Sequence, residues 1–185
     1  MVSPLQLFTD DLHSFKITTN PELGNELRQY FADPKNDYLW TLTTHRQTIT
    51  QALQHTESFP LRYLKDLPKE YGTMQSNQHM DVADSPLIKI PVFKKTVEWL
   101  EQSFASTGAK QVEFGRIFAS RLAAVKTVAL HTDEGKYFSY YDRFHFTVTA
   151  AEDNMFVINN ENYILEEDTV YWVNNHVPHW LENKS

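Results

Sequence analysis

From Ala129 to Phe146 the chain reads ALHTDEGKYFSYYDRFHF, and from Val173 to Trp180 it reads VNNHVPHW. The first stretch sets His131 and Asp133 two residues apart. Successive side chains of a β-strand point to opposite faces, so residues i and i+2 share one. If His131 ends a strand, its imidazole and the Asp133 carboxylate aim into one cavity. His176 and His179 compete as a third ligand. Asn174-Asn175 reads as a turn, and Pro178 is tolerated at a strand start. That puts His179 at the head of a strand and His176 in the loop before it. Two histidines and a carboxylate on one face, with positions left open, suit a mononuclear non-haem Fe(II). Each piece has an ordinary explanation by itself: His-x-Asp is a common loop ending, and a lone histidine is often only hydrogen-bonded in a corner. Their combination within one β-rich half points to a metal.

The β-rich half runs outward from these stretches. From residue 110 onward, short β-branched and aromatic runs follow one another: QVEFGRIFASRL, VKTVALH, RFHFTVTA, NMFVIN, NYILEE, TVYWVNN and HWLEN. Turn-prone breaks at Asp133-Glu134-Gly135, Glu152-Asp153-Asn154 and Asn159 to Asn162 separate them. Strands at such spacing imply a sandwich or barrel. In Arg143 to Val148, period two sends Arg143, His145 and Thr147 to one face and Phe144, Phe146 and Val148 to the other. The apolar face should pack on the core. The polar face either meets solvent or lines the interior, where a buried guanidinium needs an anion such as a carboxylate co-substrate. Arg116 and Ser120 likewise share a face, with Arg121 opposite.

The first half is more helical. Asn20-Pro21-Glu22 supplies a cap and a proline at the first turn, and Leu23, Leu27, Tyr30 and Phe31 recur at helical spacing. That helix should end before Asp33-Pro34. Trp40-Thr-Leu-Thr-Thr reads as a short β-prone run, and residues 79–86 as a surface loop. Phe93, Val97, Leu100 and Phe104 form a stripe that predicts a helix over 94–107, stopped by Gly108. The expected class is α+β: N-terminal helices, within residues 1–110, packed outside a C-terminal double-stranded β-helix (a jelly roll, cupin-like) over residues 111–185, forming one compact domain.

Composition narrows the chemistry. The 185 residues include no cysteine, which excludes disulfides, thiol catalysis and Fe–S clusters. Five glycines argue against a glycine-rich nucleotide loop, and a net charge of −7 without a basic block gives nucleic acid no electrostatic support. The N-terminus lacks the pattern of a secretion signal, and no run of about 18 apolar residues occurs. A cytoplasmic protein with no membrane partner is expected.

The run FASRLAAVKTVALHTDEG, then DRFHFTV, then YILEEDTVYWVNNHVPHWLEN resembles the aspartyl/asparaginyl β-hydroxylase family of Fe(II)- and 2-oxoglutarate-dependent oxygenases. The likeness spans residues 111–185, with a weaker echo in HTESFPLRYL (55–64). It lies in a serine-bearing strand leading to the first histidine, an Arg-x-His strand, and an aromatic strand leading to Asn-Asn, the distal histidine and Asn183. The resemblance implies His131, Asp133 and His179 as iron ligands, with Ser120, Arg143 and His145 as carboxylate contacts for 2-oxoglutarate. Some members keep only the two histidines; Asp133 is retained here, so a full triad is expected. The family also carries an arginine for the distal carboxylate on a last strand beyond the distal histidine. This chain ends at Ser185 before such a strand, so a C-terminal strand is expected to be missing from it. The implied reaction hydroxylates an amino-acid or peptidyl substrate. Two other readings compete: a cupin-like metal-binding or sensor module without turnover, and a zinc hydrolase. The second lacks a general-base glutamate beside a ligand, and the first turns on whether 2-oxoglutarate binds.

Overall fold

The computed structural model describes residues 14–44, 46, 47, 50–65, 81–106, 112–134 and 136–185. In chain order the elements are β1 (Ser14–Thr19), α1 (Pro21–Ala32), β2 (Thr56–Leu64), β3 (Val82–Asp84), α2 (Pro91–Ser106), β4 (Ile117–Leu122) and β5 (Lys126–His131). There follow α3 (Lys136–Tyr140), β6 (Arg143–Thr147), β7 (Met155–Ile158), β8 (Glu161–Tyr163), β9 (Thr169–Val173) and β10 (His179–Asn183). The strands form three antiparallel sheets, ordered β1-β9-β6, β5-β10-β7-β8 and β3-β2-β4. The chain is therefore α+β. Strands from both sides of residue 110 share sheets, since β1 pairs with β9 and β2 with β4.

Helix α1 starts where its sequence says it should. The Asn20 side chain accepts from the Leu23 N–H at 3.0 Å, and Pro21 occupies the first turn where its missing N–H costs nothing. Leu23 and Leu27 are buried against Phe59 and Leu61 of β2, Phe93 of α2, and Leu39 and Trp40. Gly24 admits Asp168, itself in the left-handed conformation (φ 61°) just before β9; a Cβ at Gly24 would collide with the Asp168 carboxylate. The carboxylate so admitted takes two bonds from Arg28, at 2.6 and 3.2 Å, pinning α1 to the sheet.

Two sheets face each other through Phe156 and Ile158 of β7 and Tyr171 and Val173 of β9. The hairpin between β7 and β8 turns on Asn159 and Asn160, both at positive φ (49° and 66°), the conformation that a tight two-residue hairpin requires. On β6 both faces behave as the alternation implies. Phe144 stacks on Phe104 and Phe146 on Trp99 of α2, while Arg143 and His145 point to the other side.

Three expectations need correction. The Trp40 run is not a strand: a 3₁₀-helix spans Pro34–Thr41, started by Pro34 and by Asp33, whose carboxylate accepts from the Lys35 N–H. Residues 79–86 are not simply a loop, because Val82–Asp84 pairs with Arg62–Leu64 as the edge of the third sheet. Helix α2 begins at Pro91, earlier than the stripe suggested; Gly108 lies outside the described residues.

Candidate metal centre

Strand β5 ends on His131 and β10 begins on His179, and the antiparallel register sets these two residues opposite each other. Their rings stand 4.4 Å apart between centroids. Past the end of β5, the Asp133 N–H donates to the Asn175 carbonyl at 3.1 Å, which turns the carboxylate back toward the histidines. The potential ligand atoms of His131, Asp133 and His179 all lie within 4.8 Å of one another, and His131 Nε2 is 3.8 Å from Asp133 Oδ1. Ordinary metal–ligand bonds of about 2.0–2.2 Å bridge such a spacing after small side-chain rotations. His176 stands exposed in the preceding turn, its N–H donating to Asn174 Oδ1.

The two histidines are oriented alike. His131 Nδ1 lies 2.8 Å from the Ala129 carbonyl, and His179 Nδ1 lies 2.9 Å from the Val177 carbonyl. A carbonyl only accepts, so each Nδ1 carries the proton and each Nε2 presents a lone pair. Backbone carbonyls in this role are the usual outer support of metal-bound imidazoles. His179 Nε2 is buried and has no hydrogen-bond partner, a state that is costly unless something binds there. Burial also lowers the pKa of His179, partly opposed by its bond to Val177, so the ring stays neutral as a ligand must.

Arg143 and His145 on β6 face this triad from the opposing sheet. Arg143 Nη1 approaches Asp133 Oδ2 to 2.7 Å, an ion pair by distance that is not aligned as a hydrogen bond. His145 packs its ring on Phe156, which in turn touches His179. Burial, reinforced by the positive charge of Arg143, pushes the His145 pKa down to about 3, and its Nε2 is another buried atom without a partner. The polar face of β6 thus lines the interior.

Ser120 stands on β4, in the third sheet, where its hydroxyl accepts from Arg46 Nη1 at 3.2 Å. Arg46 lies close enough to Arg143 and Asp133 to feel both charges, and burial lowers its pKa to about 10. It was not anticipated from the sequence, since it sits in a polar stretch with no periodicity. Arg116 shares the Ser120 face and lies over the Tyr137 ring at 4.0 Å, while Tyr137 Oη accepts from the Arg116 N–H. Arg121 turns to the other face and pairs with Glu57. Arg62 is engaged within its own sheet, donating to the Phe114 carbonyl at 3.0 Å and pairing with Asp84 at 2.8 Å. Trp172 is buried, donating to Asp142 at 3.0 Å and packed on Phe15. Asn183 Nδ2 donates to the Leu122 carbonyl at 2.9 Å and ties β10 to β4. No described helix is long and apolar enough to cross a membrane.

Compared with protein-family models and with curated proteins, the chain matches none.

Proposed function

We propose that this chain is an Fe(II)- and 2-oxoglutarate-dependent dioxygenase of the aspartyl/asparaginyl β-hydroxylase kind, acting on an amino-acid or peptidyl substrate. The observation that carries the proposal is the matched pair of Nε2 lone pairs beside Asp133, with Arg143 and His145 facing them. We read the facing sheets as a double-stranded β-helix holding that set. Fe(II) bound there supplies the coupled oxidation in which 2-oxoglutarate and O₂ give succinate and CO₂ while one oxygen atom enters a substrate C–H bond.

The chain's own residues do the rest. Three ligands crowded on one side leave the other side open to co-substrate and O₂. Arg143, within 2.7 Å of Asp133, is placed to hold a carboxylate of 2-oxoglutarate by a charge-assisted bond. His145, held neutral by burial, offers a hydrogen-bonding group that adds no charge. Phe156 packs on His145 and His179 and keeps water off those two rings.

Anaerobic titration of the Fe(II)-loaded protein with 2-oxoglutarate tests this reading through the weak visible charge-transfer band of an iron-chelated keto acid. A saturable band, absent in His179→Ala, is the expected outcome. Metal binding without a band would leave a metal-binding module in place of an oxygenase.

A further inference from the structure

Arg46, which feels the charges of Arg143 and Asp133, also lines a second site. Residues 116, 118 and 120 of the β4 segment share one face, and the cross-strand pairs Ser58–Ser120 and Pro60–Phe118 continue it onto β2. Over this face opens a cavity of about 440 Å³ walled by Leu42, Pro60, Tyr63, Leu87 and Phe118. Its cationic lining group is Arg46. The guanidinium of Arg46 lies 4.4 Å from the Phe118 ring centroid, Phe118 packs edge-on to Tyr63 at 5.1 Å, and Arg116 lies 5.6 Å from Tyr63. This alternation of cations and rings holds both guanidiniums in place without neutralising them.

Charge on that face is unbalanced. Among the described residues, neither Arg46 nor Arg116 has a carboxylate partner, and the Asp133 carboxylate, whose charge reaches Arg46, is already paired with Arg143. The buried Arg116 Nε and Ser58 Oγ have no hydrogen-bond partner. If the proposed function holds, the two positive charges of Fe(II) and the two negative charges of 2-oxoglutarate cancel. Arg46 and Arg116, both half-buried, then remain without a counter-charge, and a guanidinium partly withdrawn from water is stabilised by an anion.

We propose that this cavity is a carboxylate-selective small-molecule site, with Arg46 gripping the carboxylate and the Leu42–Phe118 walls taking an apolar body, and that its occupant is the oxygenase's primary substrate. A volume of this size suits a small acid with an aromatic or branched aliphatic side, in the general pattern of apolar pockets oriented by few polar groups. Identifying the occupant with the substrate rests on the proposed function; the carboxylate site itself does not.

The test is calorimetric titration of the metal-free full chain with phenylbutyrate and with the uncharged phenylbutanol. The acid should bind more tightly than the alcohol. Arg46→Gln should weaken the acid about tenfold or more, the scale of a lost charged hydrogen bond, and leave the alcohol unchanged. Leu42→Trp, a change at an exposed rim residue that fills the cavity, should remove both. Equal binding of acid and alcohol, or an Arg46→Gln protein with wild-type affinity for the acid, overturns the proposal. So does an Arg46→Gln protein that loses 2-oxoglutarate while keeping phenylbutyrate, because Arg46 would then serve the co-substrate. A 2-oxoglutarate band on the Fe(II) protein that shifts when phenylbutyrate is added joins the two sites. Acid binding in a protein that never forms that band keeps the cavity and sinks the oxygenase, so the two failures are separable.

Discussion

Two phenylalanines on neighbouring sheets show how differently this chain uses burial. Phe59 of β2 is fully buried and meets the rings of Trp40, Phe93 and Phe31 at 5.0, 5.6 and 6.4 Å. Phe156 of β7 is nearly as buried, yet two of its ring neighbours are histidines, His145 at 5.6 Å and His179 at 6.1 Å. Around Phe59 the packing partners are hydrocarbon, and the burial stabilises the fold directly. Around Phe156 the partners carry ring nitrogens that burial has stripped of water and left unpaired. The aromatic core and the candidate metal centre are thereby separate clusters, which is testable because each should fail without the other.

The largest effect is expected at the ligands. His131→Ala and Asp133→Ala should weaken Fe(II) binding by well over about 100-fold, since even supporting residues of a metal site are worth roughly 10–100-fold. The melting temperature of the metal-free protein should hardly move in His131→Ala, because the ring lies at the partly exposed mouth of the site. Retained Fe(II) affinity in either variant, read by equilibrium dialysis, would remove the triad. Phe59→Ala is the opposite case. Deleting a fully buried aromatic ring costs about 3–5 kcal/mol, so denaturant unfolding should show that loss while the remaining folded protein binds Fe(II) as before.

This division was partly legible in the chain. His131, Asp133 and His179 could be read because strand alternation and a proline-marked strand start are local signals, and the register then brought them together. The two faces of β6 were readable for the same reason. Arg46 was not, because its place depends on Phe118 and Ser120, more than seventy positions away in sequence, and no local period marks it. Trp40 misled as a β-prone residue because its setting is decided by the Asp33-Pro34 start and by contacts with Phe31 and Phe59, which outweigh propensity. The edge strand at Val82–Asp84 is too short for alternation to show.

Acid should sharpen the contrast further. His145 has a folded pKa of about 3 against an ordinary 6.5, so between those values the unfolded chain binds a proton that the folded chain refuses. Stability from this group is complete above pH 6.5 and is lost as pH falls toward 3, by a few kcal/mol at about 1.4 kcal/mol per unit. Denaturant midpoints of the chelator-treated protein should therefore decline with acid through this window. His145→Gln should decline less steeply, and an equally steep decline would place the acid sensitivity elsewhere.

Arg143 should give the smallest effect and the most informative sign. Its partner Asp133 is 9 % exposed and Arg143 itself 25 %, so the pair lies between the buried and exposed cases. Breaking it in Arg143→Gln should cost the metal-free protein about 2 kcal/mol, below the roughly 3–5 of a fully buried pair and above the surface value of about 1 or less. The same change leaves the Asp133 carboxylate without its paired cation, and bound Fe(II) then relieves a penalty that the wild type does not carry. Stabilisation by saturating Fe(II) should accordingly be greater in Arg143→Gln than in the wild type, even as 2-oxoglutarate affinity falls about tenfold with the lost charged bond. A purely structural arginine would lower stability equally with and without metal. Melting curves of both proteins, with and without Fe(II) under anaerobic conditions, separate the two roles: a gap between variant and wild type that narrows on metal addition means that Arg143 and the ion share one carboxylate.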